Sequence, residues 1–238
     1  MKKSILFIAA LVMVFAAQAQ RKIKGNGNVQ KITRTTSDYD GIKCAGSFDY
    51  VLVAGTEGTI TLEGEENLLE YIITEVKDGN LIIKTENHIN LNPSSNRTVK
   101  VTIPFKDINE VSLAGSGDLW NEDVITADEL DVSLAGSGDV VLKVEANAVD
   151  GKVAGSGDLT LKGKTNELEA SVAGSGNFHG FDLLASHAEV AVSGSGDADV
   201  FCTDKLKARV AGSGGINYKG NPKVEDTKVA GSGRIESN

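Results

Sequence analysis

Gly-Ser-Gly occurs seven times between Gly115 and Gly233, and the position after it holds Asp118, Asp139, Asp158, Asn177, Asp197, Gly215 and Arg234 in turn. Carboxylates set among backbone carbonyls are calcium chemistry, and Gly/Asp-rich coils of nine-residue period bind that ion. The metal set on offer is therefore Asp118, Asp139, Asp158 and Asp197. Its spacing argues against calcium: the interval is about twice that of the calcium coils, each copy gives one carboxylate, and Gly215 and Arg234 close the run. In the competing reading each Asp accepts a hydrogen bond from the backbone N–H of its own turn. Repulsion between neighbours, roughly 0.9 kcal/mol at strand spacing in water, is then softened by solvent and by the neutral Asn177. The second reading is preferred, and neither a metal nor a cofactor is expected.

Other chemistries fit less well. A phosphate cradle needs Gly-Lys-Ser/Thr, or G-x-G-x-x-G, opening a helix. Here strand-like residues follow each copy. His88, His179 and His187 are the three histidines, and none stands in a motif that would make it the base of a Ser/His/Asp set. His179 and His187 flank "GFDLLAS" as a conceivable metal pair, yet no second pair of ligands accompanies them. The 33 acidic residues offer many carboxylate pairs for glycoside cleavage on a β-helix, without singling one out. No catalytic residue is assigned.

Spacing is more informative than residue type. The first glycines of the copies, Gly115, Gly136, Gly155, Gly174, Gly194, Gly212 and Gly231, are separated by 21, 19, 19, 20, 18 and 19 residues. Two residues before each stands Leu or Val, one before stands Ala or Ser, and four after stands Leu119, Val140, Leu159, Phe178, Ala198, Ile216 or Ile235. Polar residues such as Ser112, Lys152 and Arg209 alternate with them, as in a half-buried strand. A strand recurring at this period hides its apolar side only if one copy stacks on the next, about 4.8 Å away. The pattern predicts an all-β fold, a right-handed parallel β-helix or β-solenoid of about seven rungs, with the seven glycines as its corners. A sandwich of hairpins is the rival, but it needs no constant rung length.

Four segments follow. Residues 1–19 read as a signal peptide: two lysines, an apolar run of thirteen from Ile5 to Ala17, and Ala17-Gln18-Ala19 as the cleavage site. The run is shorter than the roughly 20 residues a spanning helix needs, no later stretch reaches that length, and no Cys stands at the cleavage site to take a lipid. Residues 20–38 read as a flexible arm. Residues 39–110 form a β-rich region with a hairpin turn at Lys77–Asn80 and a worn copy of the repeat at Cys44-Ala45-Gly46-Ser47-Phe48, so this region joins or caps the solenoid of residues 111–238. "NHINLNPSSNRT" reads as an exposed loop containing the sequon Asn96-Arg97-Thr98. Cleavage leaves 22 basic and 33 acidic residues, a net charge of −11 that repels nucleic acid and anionic lipid. Cys44 and Cys202 either bridge or remain as two buried thiols.

The opening "YDGIKCAGSFDYVLVAGTEGTITLEGEENLLEYIITEVKDGNLIIKTE", followed by tandem "AGSGD" units, resembles the bacterial auto-transporter adhesin family with a head GIN domain. The resemblance covers roughly Tyr39 to Gly220, and Gly215-Ile216-Asn217 spells the motif of that name. It implies an exported all-β protein in the periplasm or at the cell surface. The expected function is a non-catalytic binding or structural module whose partner is a surface protein or glycan, not nucleic acid. Trp120, Phe181 and Tyr218 fall near corners as candidate contacts, whereas Phe178 falls in the apolar column. Self-association through an open strand edge is also expected. The alternatives are a carbohydrate-active β-helix enzyme and a calcium-stabilised surface repeat protein.

Overall fold

Alternation of Val, Leu and Ile with Ser, Lys and Glu makes strands here because each turn of chain covers the apolar side of the next. The structure, a computed structural model, describes residues 20–94 and 97–238. The expected signal peptide and Asn96 of the sequon lie outside the described residues. The first half holds β1 (Arg21–Lys24), β2 (Val29–Thr35), β3 (Gly41–Gly46), β4 (Asp49–Ala54), β5 (Thr59–Glu65), the one-turn helix α1 (Glu66–Leu69), β6 (Ile72–Lys77), β7 (Asn80–Thr85), β8 (Ile89–Asn92) and β9 (Lys100–Phe105). The repeats supply β10 (Glu110–Gly115), β11 (Leu119–Asn121), β12 (Ile125–Gly136), β13 (Val140–Gly155), β14 (Asp158–Gly174), β15 (Asn177–Gly194), β16 (Asp197–Gly212), β17 (Gly215–Lys219), β18 (Val224–Gly231) and β19 (Arg234–Ser237).

The repeats stack as a parallel β-solenoid. From β10 through β12–β16 to β18 the strands pair in register, so the seven corner glycines form one file. Behind them Leu113, Leu134, Val153, Val172, Val192 and Val210 form an apolar column that is 0–2% exposed. The long strands bend between faces. In β13 the buried positions are Val140, Leu142 and Val144, then Val149, Gly151 and Val153, and the change of phase marks where the chain turns. The leading side of each rung runs up to Gly-Ser-Gly, and the trailing side runs on from it.

Each corner is closed by one oxygen. Gly136 C=O, for example, accepts from Ser156 N–H at 2.8 Å and Gly157 N–H at 3.0 Å, and the same two-donor arrangement recurs at every copy. Gly155 has φ +136°, a backbone state that side chains strain to reach. A Cβ there would also lie far inside contact distance of the Gly136 carbonyl oxygen.

The first half is woven into the same stack. The worn copy is a full rung: β3 pairs with β10, from Gly41 opposite Glu110 to Gly46 opposite Gly115, and β4 pairs with β11. On their far side lie β7 and β9, also parallel. Stacking order therefore departs from chain order, since the β3/β4 layer lies between residues 80–105 and residues 110–121. Antiparallel β2, β5 and β6 then close that end. Among the described residues no helix is long and apolar enough to cross a membrane.

The arm expected to be flexible over 20–38 instead carries two strands, β1 beside β8 and β2 beside β5. Its polar composition conceals two apolar anchors, Ile23 and Ile32, which pack against the core. Arg34 adds donations to the Leu69 carbonyl at 2.7 Å and to the Ile72 carbonyl. Cys44 and Cys202 are both buried free thiols.

The arm is also held by a buried carboxylate. Glu65, 2% exposed, accepts from Gly27 N–H at 2.5 Å and from the Ser94 N–H and hydroxyl at 2.8 Å each. The Ser94 amide, with further help from Gly27 and Arg97, holds its pKa below the usual glutamate range. A depressed carboxylate stabilises the fold above its unfolded value, about 4.3, and that contribution is lost as pH falls through the folded value. Protection of the Gly27 and Ser94 amides against exchange, relative to their intrinsic rates, should therefore fall on acidification below pH 4 while the Gly-Ser-Gly corner amides stay protected. Simultaneous loss at both places would refute this role for Glu65.

Candidate binding face

The acids that follow the corners are structural in their first duty. Asp118 Oδ1 accepts the backbone N–H of Asp139 at 3.2 Å, Asp139 Oδ1 that of Asp158 at 3.1 Å, and Asp158 Oδ1 that of Asn177 at 3.0 Å. Asn177 Oδ1 and Asp197 Oδ1 continue the file to the N–H groups of Asp197 and Gly215. The expected bond to each residue's own turn is thus corrected: the donor belongs to the next rung, and the carboxylate serves as its acceptor where the strand restarts after the corner. Asn177, expected to soften the repulsion between carboxylates, also continues the ladder, because its amide oxygen accepts a hydrogen bond as a carboxylate oxygen does. Asp139→Ala should cost about 1 kcal/mol in denaturant unfolding and Asp139→Asn much less. Equal losses would mean that charge, not the hydrogen bond, is what matters.

Asp49 belongs to the same file, below Asp118. Burial first, and then the Asp118 carboxylate, raise its pKa, while Lys100 opposes them. It follows the worn Gly46-Ser47-Phe48 just as the other acids follow their corners, a signal present in the sequence.

The histidines do not converge. His179 lies on the trailing side, its Nδ1 3.4 Å from Asp199 and its Nε2 3.8 Å from Asp158. His187 pairs between Glu167 and Lys205 on the way to the next corner, and His88 sits in a turn with φ +63°. Among the described residues no three His, Cys, Asp or Glu side chains are grouped to hold a metal ion.

The expected aromatic contacts separate into two kinds. Phe178 is fully buried, and Tyr218 is 8% exposed with its hydroxyl 3.0 Å from Glu225. Trp120 and Phe181 are only partly buried. Lys219 Nζ lies 4.0 Å from the centroid of the Phe181 ring, and Lys100 Nζ lies 5.9 Å from that of Trp120. Trp120 stacks in register on Val51 below and against Val141 above, and Val141 is 41% exposed. Around this pair runs a groove of about 480 Å³ lined by Asp118, Trp120, Asn121, Asp139, Val141, Lys143 and Lys162. Lys143 and Lys162 pair in register and stand seven residues after their corner glycines, so the repeat's phase marks the row. The sequence reading, focused on the position after Gly-Ser-Gly, missed it.

This architecture is shared. The family described as "Putative auto-transporter adhesin, head GIN domain" matches residues 38–222. The chain belongs to that family. A putative lipid binding protein from Parabacteroides distasonis is 30% identical in its crystal structure, with a TM-score of 0.77 over 92% of this chain and 100% of that one. A putative adhesin from the same species is 27% identical, with a TM-score of 0.72 over 91% and 100%. A putative adhesin from Bacteroides fragilis, at 24% identity and TM-score 0.84 over 91% and 100%, shares the fold. Among curated proteins none matches.

Proposed function

We propose that the chain is an exported, non-catalytic adhesive module at the bacterial surface or in the periplasm, which binds through the outer faces of its solenoid. The observation that carries this is the trailing side, where outward residues keep register from Trp120 through Val141, Thr160 and His179 to Asp199. The inward columns are already filled by packed side chains. A rigid face of this kind makes many weak contacts at fixed spacing, and these sum to firm attachment. Family membership and two similar structures described as adhesins support the same reading.

Beads coated with the mature chain should stay on mucin- or collagen-coated glass under flow better than beads coated with heat-unfolded chain. Equal detachment from both surfaces would refute the adhesive reading. Incubation with plant and bacterial polysaccharides should release no reducing ends above blank, and steady release would instead establish the carbohydrate-active enzyme.

A further inference from the structure

Resting on that adhesive reading, we propose that the groove at Trp120 is a binding site for a neutral saccharide. Three rows meet there. The floor is apolar, made by the Trp120 indole and Val141, which is 41% exposed. One wall is the carboxylate file of Asp118 and Asp139, each already tied through Oδ1 to the next rung's N–H and so fixed in position. The other wall is the ammonium row of Lys143 and Lys162, while Lys100, which pairs opposite Asp49 at the end of the carboxylate file, lies near the far side of the indole ring, 5.9 Å from its centroid.

Carboxylates only accept hydrogen bonds and ammonium groups only donate them. An occupant must therefore donate along one edge, accept along the other and present an apolar face to the floor. A pyranose ring does all three, because each hydroxyl both donates and accepts while its C–H face suits an aromatic surface. A polyanion would meet Asp118 and Asp139, and a polycation would meet Lys143 and Lys162. The volume, about 480 Å³, lies within the range of small-ligand sites.

Trp120 is the chain's one tryptophan, so its fluorescence reports this groove alone. The mature chain would be titrated with the neutral hexasaccharides of glucose, mannose and N-acetylglucosamine, with hexalysine and hexagalacturonate as charged probes. Saturable change with at least one neutral hexasaccharide is expected. Asp139→Asn and Lys143→Gln, which keep the fluorophore, should each weaken it roughly tenfold. Trp120→Ala should abolish binding measured by calorimetry with its melting curve still cooperative, and Glu189→Gln, on the leading side, should change nothing. Absence of response to every neutral hexasaccharide, or tighter binding of either charged probe, overturns the saccharide site. Beads that still adhere in that event leave the adhesive module standing, and beads that detach while hexasaccharide binds leave the site without the module.

Discussion

Gly157→Ala is expected to lower the melting temperature by about 10 °C or more, through a loss of about 3–5 kcal/mol. The new methyl would lie far inside contact distance of the Gly138 carbonyl oxygen and 3.1 Å from Leu134 Cδ2. Neither neighbour has room to yield, since Gly138 is held in its own corner by the Gly115 carbonyl at 3.1 Å. The rungs must separate, and the bonds from Ser156 and Gly157 to Gly136 lengthen with them. Gly58→Ala is the control. It has φ +109° but nothing within 4 Å of the added methyl, so it should show backbone strain alone, about 1–2 kcal/mol. Thermal melts of both variants decide the matter: equal small shifts would mean that the corners are not in close contact.

The second large effect lies in the column of Leu119, Val140, Leu159, Phe178, Ala198 and Ile216. Phe178 is the bulkiest member, and it fits because Ala198 above it is small and Gly151 across from it has no side chain. A methyl on Gly151 would come within 2.8 Å of the phenyl Cε2. Phe178→Ala should therefore cost about 3–5 kcal/mol, as a void opens that no neighbour can fill. Gly151→Ala alone should cost about 1–3 kcal/mol by overpacking. Combined with Phe178→Leu it should cost less than the two single changes added together, because the shorter side chain makes room for the methyl. Urea unfolding of the four proteins measures this, and strict additivity would show that the two residues do not share space.

The solenoid was legible because its signal is a phase repeated seven times. Any single copy would pass for a loop, but the intervals of 18 to 21 residues leave stacking as the economical way to bury Leu134, Val153 and Val172. The worn copy at Gly46 was legible for the same reason. The order of layers was not, because β3 pairs with both β7 and β10 while its own residues carry no mark of either partner. Residues 20–38 misled because their charged and amide side chains hide Ile23 and Ile32, and because Glu65, which fastens Gly27, is remote in sequence. Of the candidate site, Trp120 stood out by type and the carboxylates by position. Lys143 and Lys162 were marked by the repeat's phase, seven residues after their corners, but only the packed rungs show that they share one groove with Trp120.

The layer formed by β3 and β4 has a mechanical consequence. In a coil whose turns follow chain order, tension at one terminus peels the outermost turn like tape, one hydrogen bond at a time. Here, behind β1 and β2, the β3/β4 layer is clasped between two later layers, and the bond from β4 to the repeats joins positions 69 residues apart instead of 19. Closing that wider loop costs only about 1 kcal/mol more. In return a tug from this end must shear the strands of that layer together, a grip that would suit the adhesive role proposed above.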